Sequence, residues 1–234
     1  YVECQARFLE AYAALVHGDP ERGRNLIRDA VVFAQGRRFQ YPQMMRYSVV
    51  TGALLAEALR IGAEPDYVCD VIRRLRIRPP ADAPETWPWP VKIRTLGRFE
   101  IECDGQVLEF SGKAPRRVLA VLKAIVAGGA QPVASARLVD ALWGDDEGDA
   151  GRKALEVNLV RLRKLLGHAD AVVVRDEQIS LNRERCWVDA WVFGDLVESI
   201  EAEGDVRTRT RLGAHWNSIG EIFCPVMKKT AARS

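Results

Sequence analysis

Hydrophobic positions along the chain follow two rhythms. From residue 2 to 76 they recur at helical spacing. ARFLEAYAALVHGD and PERGRNLIRDAVVFAQGRRF predict a helical hairpin around Gly18-Asp19-Pro20, with Pro20 at a favoured first-turn position. MMRYSVVTGALLAEALRIG and PDYVCDVIRRLRI predict a second hairpin, with Pro65 in the same role. Between 78 and 90 the pattern stops. RPPADAPETWPWP carries five prolines, so it cannot continue a helix and is expected to be extended and stiff. Trp87 and Trp89 are unusual in an inert linker, and at least one is expected to dock on a neighbouring domain.

Past residue 90 the period shortens to two. VKIRTLGRFEIECDGQVLEFS alternates around Ile93, Leu96, Phe99, Ile101, Val107, Leu108 and Phe110. Asp104-Gly105 is a strong hairpin signal, so this stretch predicts an antiparallel sheet of short strands. PRRVLAVLKAIV at 115–126 then predicts a helix ended by Gly128-Gly129. Gln131-Pro132-Val133 can add a short strand. Ser135 is placed to cap the next helix, ARLVDALW.

The most informative stretch is DAGRKALEVNLVRLRKLL, residues 149–166. Leu155, Leu159, Leu162 and Leu166 recur on one helical face, Asp149 stands where a cap would, and Gly167 follows where a helix commonly stops. Lys153, Val157, Val160 and Lys164 fall opposite the leucines, with Glu156 and Arg161 on the shoulders. Five residues from 152 to 166 are basic and only Glu156 is acidic, whereas 140 to 151 hold five acids and no base. A helix with a leucine back and a cationic front suits the major groove of DNA. The bland alternative is an amphipathic helix with a solvated charged face. AVVVRDEQISLN follows, two β-rich runs around a polar turn at Asp176-Glu177, which completes the order helix, turn, basic helix, hairpin of a winged helix-turn-helix.

Composition adjusts this picture in a few places. The chain has 234 residues and a formal net charge of only +2, so an argument for nucleic acid rests on local charge. No apolar run reaches the roughly 18 residues of a membrane span. Five cysteines lie singly at 4, 69, 103, 186 and 224, without metal-ligand spacing. Reduced thiols in a cytoplasmic protein fit best. The three histidines, 17, 168 and 215, lie in separate segments, and no nucleophile motif surrounds a serine or cysteine. Residues 148–154, GDAGRKA, lack the Gly-Lys-Ser/Thr ending of a phosphate loop, and the acids at 145–149 lack the alternating spacing of a calcium loop. The chemistry expected is binding, with no enzyme activity, cofactor or metal. The chain begins at Tyr1 inside a helical pattern, which predicts a fragment of a longer polypeptide.

TLGRFEIECDGQVLEFSGKAPRRVLAVLKAIVAGG, RLVDALWGDD and ALEVNLVRLRKLLG together resemble the DNA-binding domain of OmpR/PhoB-type regulators. They look most like the branch found in Streptomyces antibiotic regulatory proteins. CWVDAWVFGDLVESIEAE resembles the start of the bacterial transcriptional activator domain that often follows, while 205–234 match it poorly. The hairpins spaced by about 40 residues are similar to tetratricopeptide-like repeats, and with the WPWP linker they resemble the C-terminal part of large STAND-type ATPase regulators. The resemblance implies an α+β organisation. Tetratricopeptide-like repeats occupy 1–77, a proline-rich linker 78–90, and a winged helix with an N-terminal antiparallel sheet and a C-terminal hairpin wing 91–185. The start of an activator-like helical segment occupies 186–234.

It also implies roles by position. The outer face of helix 150–166 enters the major groove, offering Glu156, Val157, Val160 and Arg161 to base edges. Arg152, Lys153, Asn158, Arg163 and Lys164 fall where phosphates are contacted, with Lys113, Arg116 and Arg117 at the start of the first helix as weaker candidates. Arg175, in the wing 171–182, falls where an arginine enters the minor groove. Val160 departs from two-component relatives, which carry arginine there, and this leaves the base preference open. Asp145, Asp146 and Glu147 fall in a turn that can face RNA polymerase. The partners implied are double-stranded DNA, RNA polymerase and the other domains of a longer parent chain, with no membrane. The rival reading is an interaction scaffold whose winged helix docks a protein instead of DNA.

Overall fold

A computed structural model describes residues 2–37, 48–110, 115–144 and 148–202. The described chain mixes helix and strand, as an α+β class requires, and divides between Trp89 and Pro90 into two compact units.

The first unit is helical. α1 (Val2–Val16) and α2 (Pro20–Gly36) form a hairpin. The Asp19 carboxylate accepts from the Arg22 amide at 3.1 Å and Pro20 opens the helix, so local chemistry sets the start of α2. Small residues bring the two helices close. Ala11, Ala30 and Ala34 are fully buried, and a Cβ on Gly23 would lie 2.5 Å from Leu15 Cδ2. α3 (Ser48–Arg60) and α4 (Pro65–Leu75) follow, closed by Leu54, Leu55, Leu59, Val68, Val71 and Ile72.

The proline segment is not the extended spacer that its composition predicts. It turns back on the helices of its own unit. Arg60 bonds both the carboxylate and the carbonyl of Asp82, Cys69 Sγ lies 3.7 Å from the Thr86 carbonyl, and Arg78 O approaches the bare Cα of Gly52. Trp87 and Trp89 are both buried, and Trp89 Nε1 donates to Pro84 O at 3.0 Å. Prolines removed the helical option. The apolar rings, which a linker rule ignores, supplied the reason to pack.

Glu57 on α3 is buried between Arg24 Nε at 2.7 Å and Arg60 Nη1 at 2.9 Å. Burial opposes its ionisation, but the hydrogen bonds from the two arginines outweigh it and hold the carboxyl below its ordinary value of 4.5. A lowered folded-state pKa contributes stability that is complete above the unfolded value and is lost as pH falls through the folded one. Acidification below 4.5 should therefore destabilise this unit, and Glu57→Gln should flatten that part of the profile. Identical acid unfolding of parent and variant would exclude Glu57 as the titrating group.

The second unit opens with β1 (Val91–Arg94), β2 (Glu100–Cys103) and β3 (Gln106–Val107), paired antiparallel. Asp104 and Gly105 both take positive φ, 49° and 83°, the turn that the Asp-Gly pair demands. Val91, Ile93 and Ile101 face inward, while Arg94 bonds Glu100 and Glu102 on the other face. α5 (Arg116–Ala127) carries Val118, Val121, Leu122 and Ile125 into the core. β4 (Val133–Ala134) passes so close to its end that a Cβ on Gly128 would lie 2.2 Å from Val133 Cγ2.

α6 (Ser135–Trp143) and α7 (Gly148–Leu166) come next. Two expected caps are displaced. Ser135 is the first residue of α6, after Ala134, and no side chain caps that end. Asp149 lies inside the first turn of α7, where its charge favours the helix dipole without being the cap. A single 3₁₀ turn, Ala169–Ala171, leads to β5 (Val172–Arg175) and β6 (Gln178–Leu181), which form a sheet in the order β4-β6-β5.

β7 (Cys186–Val188) then returns to the first sheet and pairs parallel with β1, giving the order β3-β2-β1-β7. α8 (Asp189–Ala202) sends Trp191 Nε1 to Val126 O at 3.1 Å. Residues 186–202 are therefore structural members of the second unit, so the boundary expected at 185/186 does not separate them from it.

Candidate nucleic-acid interface

α7 has two faces of opposite character. Its back is core: Leu155, Leu159, Leu162 and Leu166 are all nearly or fully buried. α6 lies close against it, because a Cβ on Gly151 would stand 2.6 Å from Val139 Cγ1. Its front is open. Arg152, Lys153, Glu156, Val157, Val160, Arg161 and Lys164 are exposed. Among them Val157 and Val160 are 49% and 64% exposed, although neither is a residue that solvent or helix propensity selects.

Two residues expected on this face are elsewhere. Asn158 is buried and its amide donates to Ala154 O at 2.7 Å, so it points away from any phosphate. It falls between the leucine turns, where a polar residue on the shoulder of the apolar stripe is drawn inward. Its Oδ1 has no hydrogen-bond partner among the described residues. Arg163 is half-buried, and its Nε and Nη2 both donate to Val172 O, at 3.2 and 3.0 Å. Its head ties α7 to the first residue of β5 instead of reaching outward.

The β5–β6 turn is built from Asp176 and Glu177, both with positive φ, 48° and 57°. Arg175 is exposed beside it, as is Val174. This turn is anchored. Val133 and Ala134 pair with Ile179 and Gln178, and the Ser135 amide donates to Glu177 O at 2.7 Å. Glu177 Oε1 also stands 3.8 Å from Arg152 Nη1 on the first turns of α7. Sequence reading missed this contact, because 25 residues of chain separate the partners and no local pattern links them.

Arg116 is exposed, whereas Arg117 donates to Leu142 O at 2.8 Å and lies over the Trp143 ring. Arg117 thereby holds the end of α6. Lys113, Asp145, Asp146 and Glu147 lie outside the described residues.

Burial pushes the Cys103 thiol up to about 11 and the Cys186 thiol up to about 12, so both stay protonated and poorly nucleophilic. Among the described residues no three His, Cys, Asp or Glu side chains gather as a metal site, and no helix is long and apolar enough to cross a membrane. No protein-family model matches the chain, and no curated protein matches it.

Proposed function

We propose that the second unit is a winged helix-turn-helix that binds double-stranded DNA with α7 in the major groove and β5–β6 as the wing, and that the chain is part of a transcriptional regulator. The observation that carries this reading is the outward face of α7, which projects Arg152, Lys153, Arg161 and Lys164 from a helix whose back is locked by four buried leucines. Rigid support of this kind fixes side chains at the spacing of base edges and phosphates. Arg161 can bond guanine through both of its outer nitrogens, Glu156 can accept from cytosine, and the exposed valines can meet thymine methyls. Lys153 and Lys164 supply phosphate contacts that carry affinity without sequence preference. Arg163 and Asn158, whose side chains bond backbone carbonyls of Val172 and Ala154, are left to internal support in this reading.

Selection of bound sites from random duplex DNA by the whole chain tests the reading. Arg161→Ala should then cost on the order of 1–3 kcal/mol on the selected site and relax preference at one base pair, while leaving scrambled DNA nearly unchanged. Equal weakening on both duplexes would remove α7 from the groove. A second reading, docking of a protein partner, draws on the exposure of Val157 and Val160. It predicts no enrichment of any sequence in the same selection.

A further inference from the structure

We infer that Glu177 acts as an internal stand-in for a DNA phosphate, holding Arg152 until a duplex displaces it and so lowering affinity for every sequence. The inference rests on the DNA-binding reading of α7 and adds a residue that restrains it.

Three features converge on Glu177. Its backbone is fixed: the Ser135 amide donates to its carbonyl at 2.7 Å, extending the β4–β6 ladder by one bond. The turn therefore cannot swing away as a free loop tip would. Its conformation is costly for its side chain. A two-residue turn with positive φ at both positions favours Asn, Asp or Gly, and φ of 57° at a glutamate is a local strain of the kind kept at functional positions. Its carboxylate meets the one basic residue of the α7 front that has an ion pair among the described residues: Lys153, Arg161 and Lys164 have none.

The geometry suits restraint rather than structure. At 3.8 Å the pair attracts through charge but is too long for a hydrogen bond. The two side chains remain 61% and 73% exposed, so water and salt reach both and a phosphate can replace the carboxylate. A duplex that takes Arg152 must first break this pair, and the cost of breaking it is subtracted from binding. Binding is then weaker than the same surface with a neutral side chain would give.

Four chains test this: the parent, Glu177→Gln, Arg152→Ala and the double variant, each titrated with a short duplex of scrambled sequence at several salt concentrations. An exposed ion pair of this kind should be worth about two- to five-fold in Kd. Glu177→Gln should therefore tighten binding by that factor, because Arg152 reaches its phosphate without first giving up a partner. In the Arg152→Ala background the same substitution should leave binding unchanged. Thermal melting of the variants should shift by no more than this small pair energy, so all four chains are folded in the titrations. If Glu177→Gln tightens binding equally without Arg152, its charge merely repels DNA and the proposal fails. No tightening in either background also overturns it. If the parent binds no duplex at low salt, the DNA-binding reading fails, and the restraint fails with it.

Discussion

Asp189→Ala is expected to destabilise the second unit by on the order of 3–4 kcal/mol, the combined loss of charge-assisted hydrogen bonds and the cost of amides left unpaired. The Asp189 carboxylate accepts from the Thr95 amide at 2.8 Å, the Thr95 hydroxyl at 2.7 Å, the Leu96 amide at 2.8 Å and the Ala190 amide at 2.7 Å. Thr95 is buried, so its donors have no water to turn to once the carboxylate is gone. The bonds join the end of β1 to the start of α8, across 94 residues of sequence. Asp189→Asn keeps one acceptor oxygen and should recover part of the loss. Denaturant unfolding of the whole chain, followed at the transition that the substitution moves, measures both. A change below about half a kcal/mol for Asp189→Ala would mean that the carboxylate does not hold the two elements together.

That contact marks a limit of sequence reading. Elements set by local chemistry were legible. The helix predicted over 149–166 is observed as Gly148–Leu166, the hairpin turn predicted at Asp176-Glu177 is the turn between β5 and β6, and Asp104-Gly105 joins β2 to β3. Periodicity and turn residues act over a few positions, and so does the pattern that reports them. β7 is different. CWV is three residues long and apolar throughout, without the alternation that would mark it, because both faces are buried once it lies beside β1. Its identity as a strand depends on a partner almost a hundred residues earlier. The expected boundary at 185/186 missed it for that reason.

The face of α7 was legible only to the width of its stripe. The leucines and the opposite cations separate cleanly. The shoulders do not, since a residue 100° from its neighbour can turn either way depending on what lies beside the helix. Asn158 turned inward because a backbone carbonyl one turn back could satisfy its amide. Arg163 turned toward Val172, whose carbonyl no helical projection contains. Glu156 and Arg161, one on each side of the stripe and further round toward the front than Arg163 and Asn158, remain exposed.

Substitutions on the two faces of α7 should therefore part company. Leu162 is fully buried against the core built by α5, α6 and β5–β6. Leu162→Ala removes three carbons and leaves a cavity that close-packed neighbours fill only partly, at a cost of about 2–5 kcal/mol. Val160, two residues earlier, is 64% exposed, so Val160→Ala opens no cavity. Alanine also favours the helix over a β-branched residue by a few tenths of a kcal/mol, so stability should hold or rise slightly. In DNA binding the order reverses. Under conditions where both variants are folded, the proposed DNA-binding reading has Val160→Ala losing an apolar contact at the groove, so it should bind its preferred site more weakly. Leu162→Ala should lose affinity only as far as its folded fraction falls. Paired unfolding and binding titrations on the two variants decide the matter. If Val160→Ala destabilises the fold as much as Leu162→Ala, the outward face assigned to α7 is wrong. If Val160→Ala leaves both stability and binding untouched, the face is outward but idle at that position, and the proposed recognition would have to rest on Glu156, Val157 and Arg161.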